Sequence, residues 1–166
     1  HDIGRPGDVG YPIRGIVKAG TLYLENAEPS RWPACNPETG YLNVDAGATK
    51  SFILDAHRAN AADPFWALCF GRRPAVEFYD LTTDRDCVKN LATVPATAAQ
   101  RAALKATMET ALKAQGDPRM FGQGAIFDRY PHSNTAHVNF YERYMKGEKI
   151  TAGWVSPTDF EKAPLD

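Results

Sequence analysis

EFYDLTTDRDCVKNLA, residues Glu77–Ala92, decides how the chain is read. It opens with Glu77-Phe78-Tyr79-Asp80-Leu81, an aromatic run of strand type. Thr82-Thr83-Asp84-Arg85-Asp86 follows as a polar turn, since Asp and Thr side chains bond their own backbone a few residues on. Asn90-Leu91-Ala92 then stands just before a helix-like run. The stretch thus predicts a strand over 75–81, a turn, and an entry into a helix.

Outward from it, residues 95–115 give the clearest helical pattern. Leu104, Met108 and Leu112 recur every fourth residue with Ala111 beside them, and Gly116-Asp117-Pro118 ends the run. Upstream, 11–27 reads as a β-hairpin with Ala19-Gly20 as its two-residue turn. Ile13, Val17, Leu22 and Leu24 supply apolar positions. Arg14 and Lys18 fall on the opposite face, which Ile16 shares. A second helix is expected at 51–62, with Phe52, Ile53 and Ala56 on one face. Asp63-Pro64 starts a short helix that Gly71 stops, and Arg72-Arg73-Pro74 leads into the strand. Residues 28–50 hold three prolines and two glycines and read as a long loop anchored by Trp32, Tyr41 and Leu42.

The fold class expected is α+β: a small antiparallel sheet of about three to four strands packed against one long helix, with a long irregular tail. Residues 1–116 form the body and 117–166 the tail. The tail carries 8 of the chain's 18 aromatic residues. A disordered segment would be poor in aromatics, so the tail is expected to pack on the body or on a missing neighbour. Its one regular element is a short helix near 138–146.

Composition narrows the function classes. Apolar residues are 43% and charged residues 23% of the 166 positions, enough for a sizeable core. A net charge of -1 gives no electrostatic case for nucleic acid or an anionic membrane surface, and no apolar run approaches the ~18 residues of a spanning helix. Cys35, Cys69 and Cys87 are odd in number and widely spaced, so no disulfide framework follows. The first residue is His1, with no signal-type segment around it, and a cut end is expected there.

Candidate chemistry is sparse. His132 and His137 have loose zinc-half-site spacing without further ligands near in sequence. His57 reads as a surface residue near a helix end. No serine sits in a nucleophile turn, and Asp84 and Asp86 lie in a turn open to solvent. Arg5, Arg14, Lys18 and Arg31 read either as a mixed charged surface or as a site for an anionic group.

The opening stretch resembles the E-L-Y-D-L-x-x-D-P-x-E-x-x-N-L-A segment near the C-terminus of sulfatases. The match runs through Glu77, Tyr79, Asp80, Leu81, Asp84, Asn90, Leu91 and Ala92, and departs at Phe78, Arg85 and Cys87. Arg14, Tyr23 and Asn26 fall on the family's hairpin pattern. HDIGRPGDVGYPIRGI (1–16) and PACNPETGYLN (33–43) look most like the bacterial heparan N-sulfatase-like branch, as do GDPRMFGQG (116–124) and the run from Phe140 to Glu161. The resemblance covers nearly the whole chain.

It implies a C-terminal subdomain of an alkaline-phosphatase-like sulfatase that hydrolyses sulfate esters or N-sulfate of a sulfated carbohydrate. The nucleophile, formylglycine made from a C/S-x-P-x-R motif, and the calcium ion belong to the N-terminal catalytic domain of such enzymes. Cys35-Asn36-Pro37-Glu38-Thr39 has Thr39 where that motif needs Arg, and is not the nucleophile. This chain would supply scaffold and part of the substrate rim, and would be inactive alone. His1 aligns with a histidine at the pocket rim, and His1 and Arg5 are the substrate-binding candidates. The loop 28–43, with Trp32 and Asn36, would line the same cleft. The expected partners are the N-terminal catalytic domain and a sulfated saccharide. A periplasmic or extracellular setting follows from the resemblance only. The alternative is a stand-alone, non-catalytic binding module derived from the same subdomain.

Overall fold

The computed structural model describes residues 3–132, 134–163 and 165. Its elements in chain order are β1 (Ile13–Lys18), β2 (Thr21–Asn26), α1 (Ala48–Ala59), α2 (Pro64–Cys69), β3 (Val76–Asp80), α3 (Ala98–Ala114) and α4 (Phe140–Met145), joined by loops and short 3-10 turns. The chain divides into two compact units. One holds residues 12–29 and 74–126; the other holds the residues up to 11, 30–73 and those from 127 on.

The first unit is α+β: a three-stranded antiparallel sheet in the order β1-β2-β3, packed against α3. Ala19 and Gly20 join β1 to β2 with φ of 48° and 72°, the doubly left-handed turn whose twist suits a tight hairpin. Ile16, Tyr23 and Phe78 stand in one cross-strand row. Tyr23 and Phe78 are buried with Leu104 and Met108 of α3, and Ile16, Leu91 and Leu112 close the edges. Burying side chains of this size contributes about 1.5–3 kcal/mol each. The helical stripe expected from sequence is therefore the one that covers the sheet.

The hairpin's buried face differs from the apolar positions first expected of β1. Val17 is 66% exposed, whereas Ile16 faces the core. Register decides this: Ile16 lies opposite Tyr23, and the face holding Tyr23 and Phe78 is the one that α3 covers.

The opening stretch now has a structural answer. β3 is an edge strand, and the segment after the turn closes part of its free side. The Asn90 Oδ1 accepts from Phe78 N at 3.0 Å, and Leu91 N donates to Phe78 O at 2.8 Å. Within the turn, the Asp80 carboxylate accepts from Thr82 N, and the Asp84 carboxylate accepts from Val88 N and Lys89 N. Strand, turn and anchor are one piece of scaffold.

The second unit has two apolar clusters. Ala34, Tyr41, Leu54 and Phe70 form one; Cys35, Leu42, Phe140 and Ala152 form the other. Trp32, Tyr41 and Leu42 anchor the long loop as expected, each no more than 5% exposed. Asp63 caps α2 by accepting from Phe65 N. At Gly71 a Cβ would come within 2.6 Å of Ala67 O, so glycine closes that helix.

α1 begins at Ala48, earlier than expected, and of the expected face Ile53 packs on the core while Phe52 turns outward. Leu54 is fully buried and Lys50, one turn before it, is 4% exposed, while Phe52 is 67% exposed. The buried lysine has partners absent from the local pattern. The Lys50 ammonium donates to the carbonyls of Gly40 and Val44 and pairs with Asp159 at 3.0 Å.

Candidate functional site

In the second unit a cleft of about 360 Å³ is lined by Arg5, Arg31, Trp32, Asn36 and Arg72, among others. Its size falls within the roughly 300–1,000 Å³ of small-ligand sites. Three arginines among its lining residues favour an anionic group, but they are not equivalent.

Arg5 is 1% exposed. Its Nε donates to Trp32 O and its Nη2 to Pro33 O, both at 2.8 Å, and its Nη1 donates to Val9 O at 3.3 Å. The guanidinium also lies 5.5 Å from the centre of the Tyr11 ring. This planar fork ties the glycine-punctuated loop, where Gly4 and Gly7 both have positive φ, to the loop carrying Trp32. Arg31 binds Asp128 through both terminal nitrogens, at 3.1 and 2.8 Å, and donates to Gly10 O at 2.8 Å. That two-point carboxylate contact largely offsets its charge.

Arg72 is the exception. It is exposed, and its guanidinium carbon lies 4.4 Å from the centre of the Trp32 indole. Among the described residues it makes no ion pair or hydrogen bond. A cation over an aromatic face is attracted by the ring without giving up its N–H donors. Trp32 is itself fixed: its carbonyl is held by Arg5, and its ring meets Trp66 edge-on at 6.0 Å. Asn36 adds an amide at the cleft, where its Nδ2 donates to Glu38 Oε2 at 3.3 Å.

The cleft therefore gathers Arg5, Arg31, Trp32 and Asn36 from the sequence candidates. Arg14 and Lys18 belong to the other unit, where Arg14 pairs with Asp117. His1 lies outside the described residues. The remaining histidines have local roles: His57 stacks on Trp66 with centroids 4.1 Å apart, His132 Nδ1 accepts from Asn134 N, and His137 meets Trp154 edge-on. Among the described residues no group of three His, Cys, Asp or Glu side chains is placed to hold a metal ion, and no helix is long and apolar enough to cross a membrane.

Sequence reading missed Arg72, which was taken only as the approach to β3. Its partner Trp32 lies in a distant loop, so no local spacing marks the pair.

Comparison with known proteins finds no matching family model, curated protein or solved structure.

Proposed function

We propose that this chain is the C-terminal part of a formylglycine-dependent sulfatase, of the heparan N-sulfatase-like branch, that acts on a sulfated carbohydrate. The observation that carries this reading is the Glu77–Ala92 stretch, whose matched residues resemble the sulfatase segment position by position. Their structural roles are consistent with a shared scaffold, since Asp80, Asp84 and Asn90 all bind backbone N–H groups. A small antiparallel sheet against one long helix is also the arrangement the resemblance implies.

In this reading the N-terminal domain supplies formylglycine as nucleophile and calcium to neutralise the sulfate. No step of the reaction is assigned to the present chain, because the resemblance places both the nucleophile and the cation in that N-terminal domain. Its contribution is to shape and charge the substrate rim. Arg5 holds the rim loops together, and the cleft beside it offers positive charge to an acidic sugar.

The test is the intact mass and sequence of the native polypeptide, followed by release of sulfate from sulfated oligosaccharides. A polypeptide several times 18.3 kDa, with a C/S-x-P-x-R motif upstream and sulfate-releasing activity, is expected. A native product that starts near His1 and has no companion chain overturns the reading and leaves a non-catalytic binding module.

A further inference from the structure

The geometry points to Arg72, held on the Trp32 indole, as the residue that binds an anionic substituent of the saccharide, a carboxylate or sulfate apart from the group being hydrolysed. The identity of the ligand as an acidic sugar rests on the sulfatase reading; the site itself rests on the geometry of the cleft.

Three observations carry it. First, Arg72 is exposed and keeps all its N–H donors, whereas Arg31 is engaged by Asp128 and the buried Arg5 spends its donors on the carbonyls of Trp32, Pro33 and Val9. Second, it is placed in advance. A free arginine loses much side-chain entropy on binding, but the indole restrains this one in the unbound protein. Third, the support is rigid: Trp32 is 5% exposed and its loop is tied down through the buried Arg5.

Guanidinium suits this task better than ammonium. Its planar fork can give two parallel N–H donors to a carboxylate or sulfate edge. Asn36 lines the same cleft, but it is buried there with its Nδ2 given to Glu38, which leaves Arg72 as the exposed donor. Trp32 is too covered to serve as a sugar-stacking platform, so its role is to position Arg72. Arg5 in turn positions Trp32.

The experiment titrates the native polypeptide that contains this chain with a sulfated, uronate-containing disaccharide, followed by calorimetry and by the NMR signals of the Trp32 indole N–H and the Arg72 side chain. Saturable binding that shifts both signals is expected. Arg72→Ala should weaken it about tenfold or more, the loss of one charge-assisted contact, and Arg72→Lys should recover part. Unchanged backbone spectra will show that the exposed substitution leaves the fold intact. Carboxyl-reduced and desulfated forms of the disaccharide separate the two sources: the form that loses the Arg72 dependence identifies the contacted group. Equal binding by Arg72→Ala and wild type, shifts centred elsewhere, or no saturable binding overturns the proposal. The outcome is separable from the sulfatase reading. Binding without an upstream catalytic motif retains the site and sinks the enzyme; the motif without binding does the reverse.

Discussion

The Asn90 side chain completes part of the β3 edge: its Oδ1 accepts the Phe78 backbone N–H at 3.0 Å. The same oxygen accepts from Ala92 N at 2.9 Å, and Nδ2 donates to Val76 O at 3.3 Å. One amide thus does what a short fourth strand would do, and it also sets the path into α3. Asn90→Ala leaves a strand N–H without its partner beside the core. A loss of about 1–3 kcal/mol is expected in urea unfolding. Asn90→Asp retains the acceptor but not the donor and should fall between. An unchanged midpoint for Asn90→Ala would remove the anchoring role.

At the hairpin turn, the exposed Ala19 adopts φ 48°. An alanine in this region is strained, whereas asparagine visits it readily. Ala19→Asn should stabilise the chain by about 0.5–1 kcal/mol, read as a raised unfolding midpoint with unchanged denaturant slope. Ala19→Val should move the midpoint the other way, because a β-branched side chain resists this backbone.

Those two sites mark the boundary of what the sequence made legible. Ala19-Gly20, the Leu104/Met108/Leu112 stripe, Asp63-Pro64 and Gly71 act through neighbours within a turn or a strand pair. Their roles follow from local sterics and periodicity. On α1 the place of Ile53 at the core was legible but the burial of Lys50 was not, because Lys50 finds Asp159 in the tail and periodicity assigns a lysine to solvent. Ile16 rather than Val17 faces inward because α3 covers the Tyr23 and Phe78 side of the sheet. At the candidate site, Arg5 and Arg31 were found by their charge, but what each binds was not. Arg31–Asp128 and Arg72–Trp32 are long-range pairs that only the tertiary fold creates.

Asp117 should contribute to the acid sensitivity of the chain. The hydrogen bond from Arg14 holds its carboxyl below the ordinary carboxylate range, and the Arg119 backbone N–H adds to this. The unfolded chain therefore takes up this proton at higher pH than the folded one, near pH 4. The contribution to stability is fully present above that value and is lost as pH falls through the lower folded pKa. Asp117→Asn can still accept from the Arg119 N–H but cannot titrate. Its unfolding midpoint should lie below wild type at pH 7, and the two should converge as the pH falls through the folded pKa of Asp117. Parallel acid limbs for the two proteins would exclude Asp117 as a source of the slope.

The Lys50–Asp159 pair gives the largest single effect expected in the second unit. Its side chains are 3% and 0% exposed, at 3.0 Å. Lys50 also serves two carbonyls, and Asp159 caps the tail turn by accepting from Ser156 N at 2.8 Å. Removing one charge leaves the other buried alone, so Lys50→Met or Asp159→Leu should each destabilise by about 3–5 kcal/mol. The double variant Lys50→Met/Asp159→Leu leaves no isolated charge. It should be less destabilised than the two single losses added together, because the sites are in contact. Thermal and denaturant unfolding of all four proteins closes the cycle. Strict additivity would mean that the two groups act independently, each through its own backbone contacts. A double variant more stable than either single one would show that the apolar replacement fills the site and that the ion pair fixes the tail's place rather than adding net stability.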